Sequence, residues 1–238
     1  MHALEGERLL TAWERGRERQ EPWRALALLE LALPKSEAGG LAALPLAERN
    51  AMLLRLRTIT FGRRIEGFAL CPECGAQLEF TLHAEDLEKQ LHAPAEEACL
   101  ETGMRMRPAN SNDLAAAMAA DDEAEARAQL LVRTLELPAA LEAIPLGQER
   151  PEWPQWLERF ERLNASAEVR CVLPCAACGG RPVLDLDIAG FLWREVALAA
   201  RRLLAEIHRL ARAYGWSEQA ITAMSATRRA TYLEMLDA

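Results

Sequence analysis

Apolar residues in the first sixty positions recur at helical intervals. Leu9, Leu10 and Trp13 mark one face, and Trp23, Leu26, Leu28, Leu29 and Leu31 mark a second, with Pro22 well placed to start that helix. Pro34 and the Gly39-Gly40 pair interrupt the pattern. A further helix then runs from about Leu46 through Leu56 and ends at Gly62 at the latest. Beyond it the period changes to two: Ile65 to Leu70 and Leu78 to Leu82 alternate like short strands. Residues 84 to 98 are polar and helix-forming, and Met104 to Arg107 reads as one more short strand stopped by Pro108. Ser111 to Leu137 is alanine-rich and helical, with a break at Asp121-Asp122-Glu123. The prolines between Pro138 and Trp156 predict an irregular connection. Strand character returns at Ala167 to Leu173 and at Val183 to Leu186. Finally Ile188, Leu192, Val196, Ala199, Leu203, Ile207, Leu210 and Tyr214 advance in threes and fours along one amphipathic helix that Gly215 closes. Ser217 and Ser225 stand where the N-caps of two short last helices belong.

The pattern predicts an α+β chain, predominantly helical, in three parts. Residues 1–63 form an N-terminal helical region. Residues 64–187 form a small zinc-ribbon-like β-unit of two hairpins, 64–83 and 167–187, with a mostly helical insertion at 84–166. Residues 188–238 form a C-terminal helical region.

The two hairpins carry the chemistry. Leu70-Cys71-Pro72-Glu73-Cys74-Gly75, followed by Leu78 to Leu82, repeats as Pro174-Cys175-Ala176-Ala177-Cys178-Gly179, followed by Val183 to Leu186. Each unit is strand, Cys-x-x-Cys-Gly, strand. Two cysteines three apart at a tight turn aim both sulfurs at one point, and the glycine accepts the positive φ that such a turn imposes. One knuckle offers two ligands and zinc takes four in a tetrahedron, so Cys71, Cys74, Cys175 and Cys178 together predict one structural zinc ion per chain. The 100 residues between Cys74 and Cys175 exceed ordinary ribbon spacing, and the duplication offsets that objection. A filled sulfur shell leaves no open position for catalysis. Redox Cys-x-x-Cys pairs sit at helix N-termini, whereas both pairs here run into strands. Cys171 has Gly67 as its counterpart and Cys99 has no cysteine near it in sequence; both read as core residues.

Composition narrows the function classes. Of 238 residues, 50% are hydrophobic and 27% charged, as in a folded chain with a sizeable core. No unbroken apolar run suits a membrane span, and Met1 to Arg8 lacks the pattern of a secretory signal, so a cytoplasmic location is the default expectation. In that compartment paired cysteines favour metal over disulfide. A net charge of -8 repels phosphate backbones, and the arginines form no obvious patch, so nucleic acid is an unfavoured partner. His83 and His208 read as strand-end and helix residues rather than ligands, and His2 and His92 belong to no metal motif. Asp121, Asp122, Glu123 and Glu125 lack calcium-loop spacing and read as a solvated helix junction. No catalytic or nucleotide-binding motif is present. Trp153, Trp156 and Trp216 read as core anchors, with partner binding as the other reading.

The segment Ile207 to Leu236, in which a helix leads into Trp216-Ser217-Glu218, then a short helix, then Arg228-Arg229-Ala-Thr-Tyr232-Leu233, resembles the ending of baseplate hub assembly proteins of T-even-type contractile-tailed phages. The paired knuckles, Asp187 to Glu195 and Met106-Arg-Pro-Ala-Asn-Ser-Asn-Asp-Leu114 are similar to larger members of that group, often encoded with prophages or contractile injection systems. The resemblance implies a non-enzymatic assembly factor or minor baseplate component, with hub or tail proteins as partners and no small-molecule substrate. It would act in the host cytoplasm or in the finished particle. Tyr214, Trp216 and Tyr232 are the candidate partner-binding residues. A zinc-ribbon nucleic-acid-binding regulator is the rival reading, and a thiol oxidoreductase is a third.

Overall fold

The computed structural model describes residues 1–34, 38–91, 98–99 (backbone alone), 104–136 and 151–237. Helices α1 (Gly6–Arg17), α2 (Trp23–Ala32) and α3 (Leu46–Phe61) open the chain, as their apolar spacing predicts. Strands β1 (Arg64–Leu70) and β2 (Gln77–His83) then form an antiparallel hairpin in which Ile65 faces Leu82 and Ala69 faces Leu78. A short helix, α4 (Ala84–Glu88), follows directly. The insertion contains β3 (Ala98–Cys99), β4 (Arg105–Met106), α5 (Ser111–Met118), α6 (Glu123–Thr134), β5 (Leu135–Glu136) and α7 (Trp153–Asn164). Its three short strands pair in the order β3-β4-β5. The second hairpin is β6 (Arg170–Val172) with β7 (Val183–Asp185). Helix α8 (Ile188–Tyr214) then runs for 27 residues, roughly 40 Å at the usual rise, before α9 (Glu218–Thr222) and α10 (Ala226–Asp237).

Capping chemistry explains several boundaries. Asp187 accepts from the Gly190 N–H at the start of α8, Gly215 ends that helix in the left-handed region, and Ser217 and Ser225 accept from the N–H groups three residues ahead of them. Asp122 caps α6 through the Glu125 N–H, while Glu125 accepts from Asp121, so the acidic run is a helix junction.

Several elements depart from the expected pattern. Helix α7 begins at Trp153 inside the stretch expected to be irregular, because Pro154 occupies the first turn, where a missing N–H breaks no helical bond. Residues 138–150 of that stretch lie outside the described residues. Helix α6 stops at Thr134, whose hydroxyl donates to the Leu130 and Leu131 carbonyls, and the next two residues pair with β4 instead. Residue 98, expected to be helical, pairs with the other side of β4. Ala167 belongs to a 3-10 turn (Ala165–Ala167), so β6 starts later than the alternation suggests.

Two apolar clusters organise the described residues. The larger joins α1, α2, α3, α8 and Ile221 of α9 with the inner faces of both hairpins, through Ile65, Leu78, Val169 and Leu173. The smaller belongs to the insertion and gathers Met104, Met106, Leu131, Leu135, Trp156 and Leu163. Polar contacts tie the two together at the head of α3: the Leu46 N–H donates to the Ala109 carbonyl (2.9 Å), and the Ala109 N–H to Asn164 Oδ1 (2.9 Å). The motif from Met106 to Leu114 makes this joint. Asn110 and Asp113 form a reciprocal capping box at α5, and the fully buried Asp113 carboxylate takes two bonds from Arg107 (2.7 and 3.0 Å) and one from Arg133 (3.2 Å).

Candidate metal centre

Both knuckles fold by the same local rules. The Cys71 N–H donates to the Ala76 carbonyl and the Gly75 N–H to the Cys71 carbonyl, each at 2.8 Å. At the matching positions the Cys175 N–H donates to Gly180 and the Gly179 N–H to Cys175, each at 2.9 Å. Gly75 and Gly179 share a φ of +74°, a conformation that costs any other residue about 1–2 kcal/mol. Sequence equivalence is therefore matched bond for bond.

The fold brings the knuckles together across the long insertion. Cys71 Sγ lies 3.9 Å from Cys178 Sγ, and Cys74 Sγ lies 3.7 Å from Cys175 Sγ. All four sulfurs fall within 4.8 Å of one another. These separations are far too long for disulfides. They fit the edges of a tetrahedron around one ion, since metal–sulfur bonds of about 2.3 Å put sulfurs roughly 3.8 Å apart. Cys71 and Cys175, the first cysteine of each knuckle, are buried, and Cys74 and Cys178 are exposed. The ion would thus sit with one side on the core and one toward water.

The thiol electrostatics point the same way. Backbone N–H groups of Cys178 and Ala177 hold the Cys175 thiol down to about 7 against the opposing effect of burial. At Cys178 the Gly180 N–H also pulls downward, but Cys175, burial and the other two cysteines outweigh it and push the thiol up to about 12. Cys74 is raised as well, the Ala76 N–H being outweighed by burial and neighbouring sulfurs. One sulfur can ionise readily and its charge then opposes the rest; a divalent cation removes that conflict.

Other expected residues fall as follows. Cys171 is a core residue on the inner face of β6, its thiol pushed up by burial. The Cys99 side chain and His92 lie outside the described residues. His2, His83 and His208 are exposed, and among the described residues none joins the sulfur cluster. Trp156 is buried in the smaller core; Trp153 packs against that core and Trp216 against the larger one. Tyr214, Trp216 and Tyr232 form one aromatic cluster: Tyr214 stacks on Trp216 at 4.4 Å, and Tyr232 meets their rings edge-on at 5.7 and 4.8 Å. Tyr214 keeps 37% of its surface exposed.

Three residues near the centre escaped the sequence reading. Arg57 on α3 is buried and makes a two-pronged ion pair with Glu195 of α8 (2.9 and 2.7 Å), while donating to the Gly62 and Arg64 carbonyls where the first hairpin begins. Asn50, also on α3, donates to the Ala167 carbonyl just before the second (2.8 Å). Glu73 lies across the knuckles, its Oε2 accepting from Cys178 Sγ at 3.5 Å. The acid within Cys-Pro-Glu-Cys was a visible signal for Glu73; nothing local marked the other two.

Comparison with known families places this arrangement. Residues 25–136 match the family model described as T4 bacteriophage base plate protein. Over that stretch the chain is similar to T4-type phage baseplate proteins. The matched stretch takes in α2, α3, the first knuckle and the Asn110–Asp113 joint, and it stops before the second knuckle and the aromatic cluster. Comparisons with curated proteins and with solved structures find no match. Among the described residues, no helix is long and apolar enough to cross a membrane.

Proposed function

We propose that the chain is a non-enzymatic, protein-binding assembly factor or minor component of a contractile-tail or injection-system baseplate hub, held in shape by one structural zinc ion on Cys71, Cys74, Cys175 and Cys178. The observation that carries this reading is the baseplate family match over residues 25–136. Its partners are hub or tail proteins, and it works in the host cytoplasm during assembly or in the particle itself. The zinc has a structural role because four sulfurs fill its shell. Tyr214, Trp216 and Tyr232 form the partner-binding face: large rings with rigid side chains contribute most of the energy at protein interfaces.

The rival nucleic-acid reading gains no support from the hairpin arginines. Of the hairpin arginines Arg63, Arg64, Arg170 and Arg181, the first three are paired, Arg63 with Glu85, Arg64 with Glu66, and Arg170 with Glu168 and Asp185, so most of the positive charge a phosphate backbone would need is offset. Tagged chain co-expressed with neighbouring tail proteins is expected to retain a hub component, and Tyr214→Ala with Tyr232→Ala to lose it while helical circular dichroism is kept. Failure of the wild type to retain any hub or tail protein, or a salt-dependent shift of labelled DNA or RNA, would overturn the reading.

A further inference from the structure

The two knuckles differ at the two residues between their cysteines and at the second residue after them. The first carries Pro72-Glu73 and Ala76, the second Ala176-Ala177 and Gly180. The differences interlock. Glu73 is exposed and reaches over the second knuckle to lie against Gly180, where an added Cβ would stand 2.1 Å from its Oε2. A side chain at that position would force the carboxylate to move from where it lies. The same oxygen is 3.5 Å from Cys178 Sγ, one of the two sulfurs on the solvent side, whereas Cys71 and Cys175 are closed off by the core. An oxygen donor is therefore held at the open edge of a sulfur cluster.

We propose that Glu73 is the loading and unloading ligand of this centre, a role that rests on the metal reading above. Zinc accepts carboxylate oxygen as readily in geometry as thiolate sulfur, at about 2.0–2.2 Å. Glu73 takes the divalent cation from water by replacing one of its water ligands, then yields it to the sulfurs, each of which releases its proton to solvent as it binds. Unloading reverses this order, with Glu73 holding the ion as Cys178 lets go. Such a ligand changes the rates of both directions and leaves their ratio alone. A carboxylate that merely orients Cys178 would instead change the affinity, by roughly 10- to 100-fold for a supporting residue of that kind.

The test uses the full chain, with zinc chloride as the probe for uptake and a chromophoric chelator for release. Glu73→Gln is expected to slow uptake and release alike by about tenfold, ~1.4 kcal/mol of barrier, with the dissociation constant unchanged. Gly180→Ala, which keeps the carboxylate but displaces it from its position beside Cys178, is expected to slow both rates in the same direction by a smaller factor. Weaker binding with unchanged uptake, or unchanged rates in both variants, overturns the role for Glu73 alone. Wild-type chain that takes up no zinc overturns the clasp and this role together.

Discussion

The first hairpin is built from two seven-residue strands and the second from two of three, yet their knuckles superimpose in hydrogen bonding and in glycine conformation. The longer one lies inside the residues matched to the baseplate family and the shorter one outside them. Their anchoring differs more than their turns. The first is held at its root by buried Arg57, which donates to the Gly62 and Arg64 carbonyls while two further bonds fix it on Glu195 of α8; the second is held by one amide from Asn50 and by Gln90, whose side chain accepts from the Arg170 N–H at 3.0 Å. A knuckle's local geometry is thus set by a handful of residues around its cysteines, whereas its position depends on which helix reaches it and how firmly. The second hairpin would gain the more from the proposed metal, since a shared ion would tie it to the first, whose Arg57 anchor is itself fixed on α8.

Removing a ligand of the proposed ion tests that inequality most severely. Cys71→Ser should abolish the one zinc per chain measured by elemental analysis and lower the thermal midpoint by the largest margin, because binding free energies at such sites reach ~10 kcal/mol. Far-UV circular dichroism should remain helical, since α1, α2, α3 and α8 pack on one another through many apolar side chains besides Cys71 and Cys175. A variant that still holds a full equivalent of zinc would remove the clasp from the account.

Next comes the anchor of the first hairpin. Arg57→Ala leaves Glu195 without its partner and two carbonyls without donors, and should cost about 3–5 kcal/mol in denaturant unfolding. Asn50→Ala removes a single bond to the second hairpin and should cost ~1–2 kcal/mol. If Asn50 proves as costly as Arg57, the two hairpins are equally anchored and the contrast fails.

The smallest effects should be equal. Gly75→Ala and Gly179→Ala both force a side chain to a φ of +74° and should each cost about 1–2 kcal/mol. Unfolding curves of the two variants that differ by more than their fitting error would mean that the turns, and not only their anchors, are unequal.

Much of this architecture was legible before any coordinates. The helical spacing of α1, α2, α3 and α8, the strand alternation on either side of Cys71-Pro-Glu-Cys74, and the serine caps of the last two helices follow from patterns spanning only a few residues. The start of α7 was misread because Pro154 serves a first helical turn as well as it serves a loop, and only the burial of Trp156 and Leu163 against Met106 selects the helix. The C-terminal end of α6 differs for a similar reason: Leu135 and Glu136 have helical neighbours, but β4 offers them backbone partners that lie 29 or more residues away in sequence.

By itself, then, the sequence determined the two knuckles, because turn geometry and sulfur spacing are contained in six residues each, and it determined the apolar stripe on which α8 packs. It also carried the repeat that made a four-sulfur centre credible across 100 residues. The tertiary structure alone decided that Cys71 and Cys175 face the core while Cys74 and Cys178 face water, that Arg57 and Asn50 divide the two hairpins between them, and that Glu73 finds its space above Gly180. The physical reason is range. Backbone propensity and turn chemistry act over a few residues, whereas burial, ion pairing and steric fit are settled only when the apolar faces of distant segments close on one core.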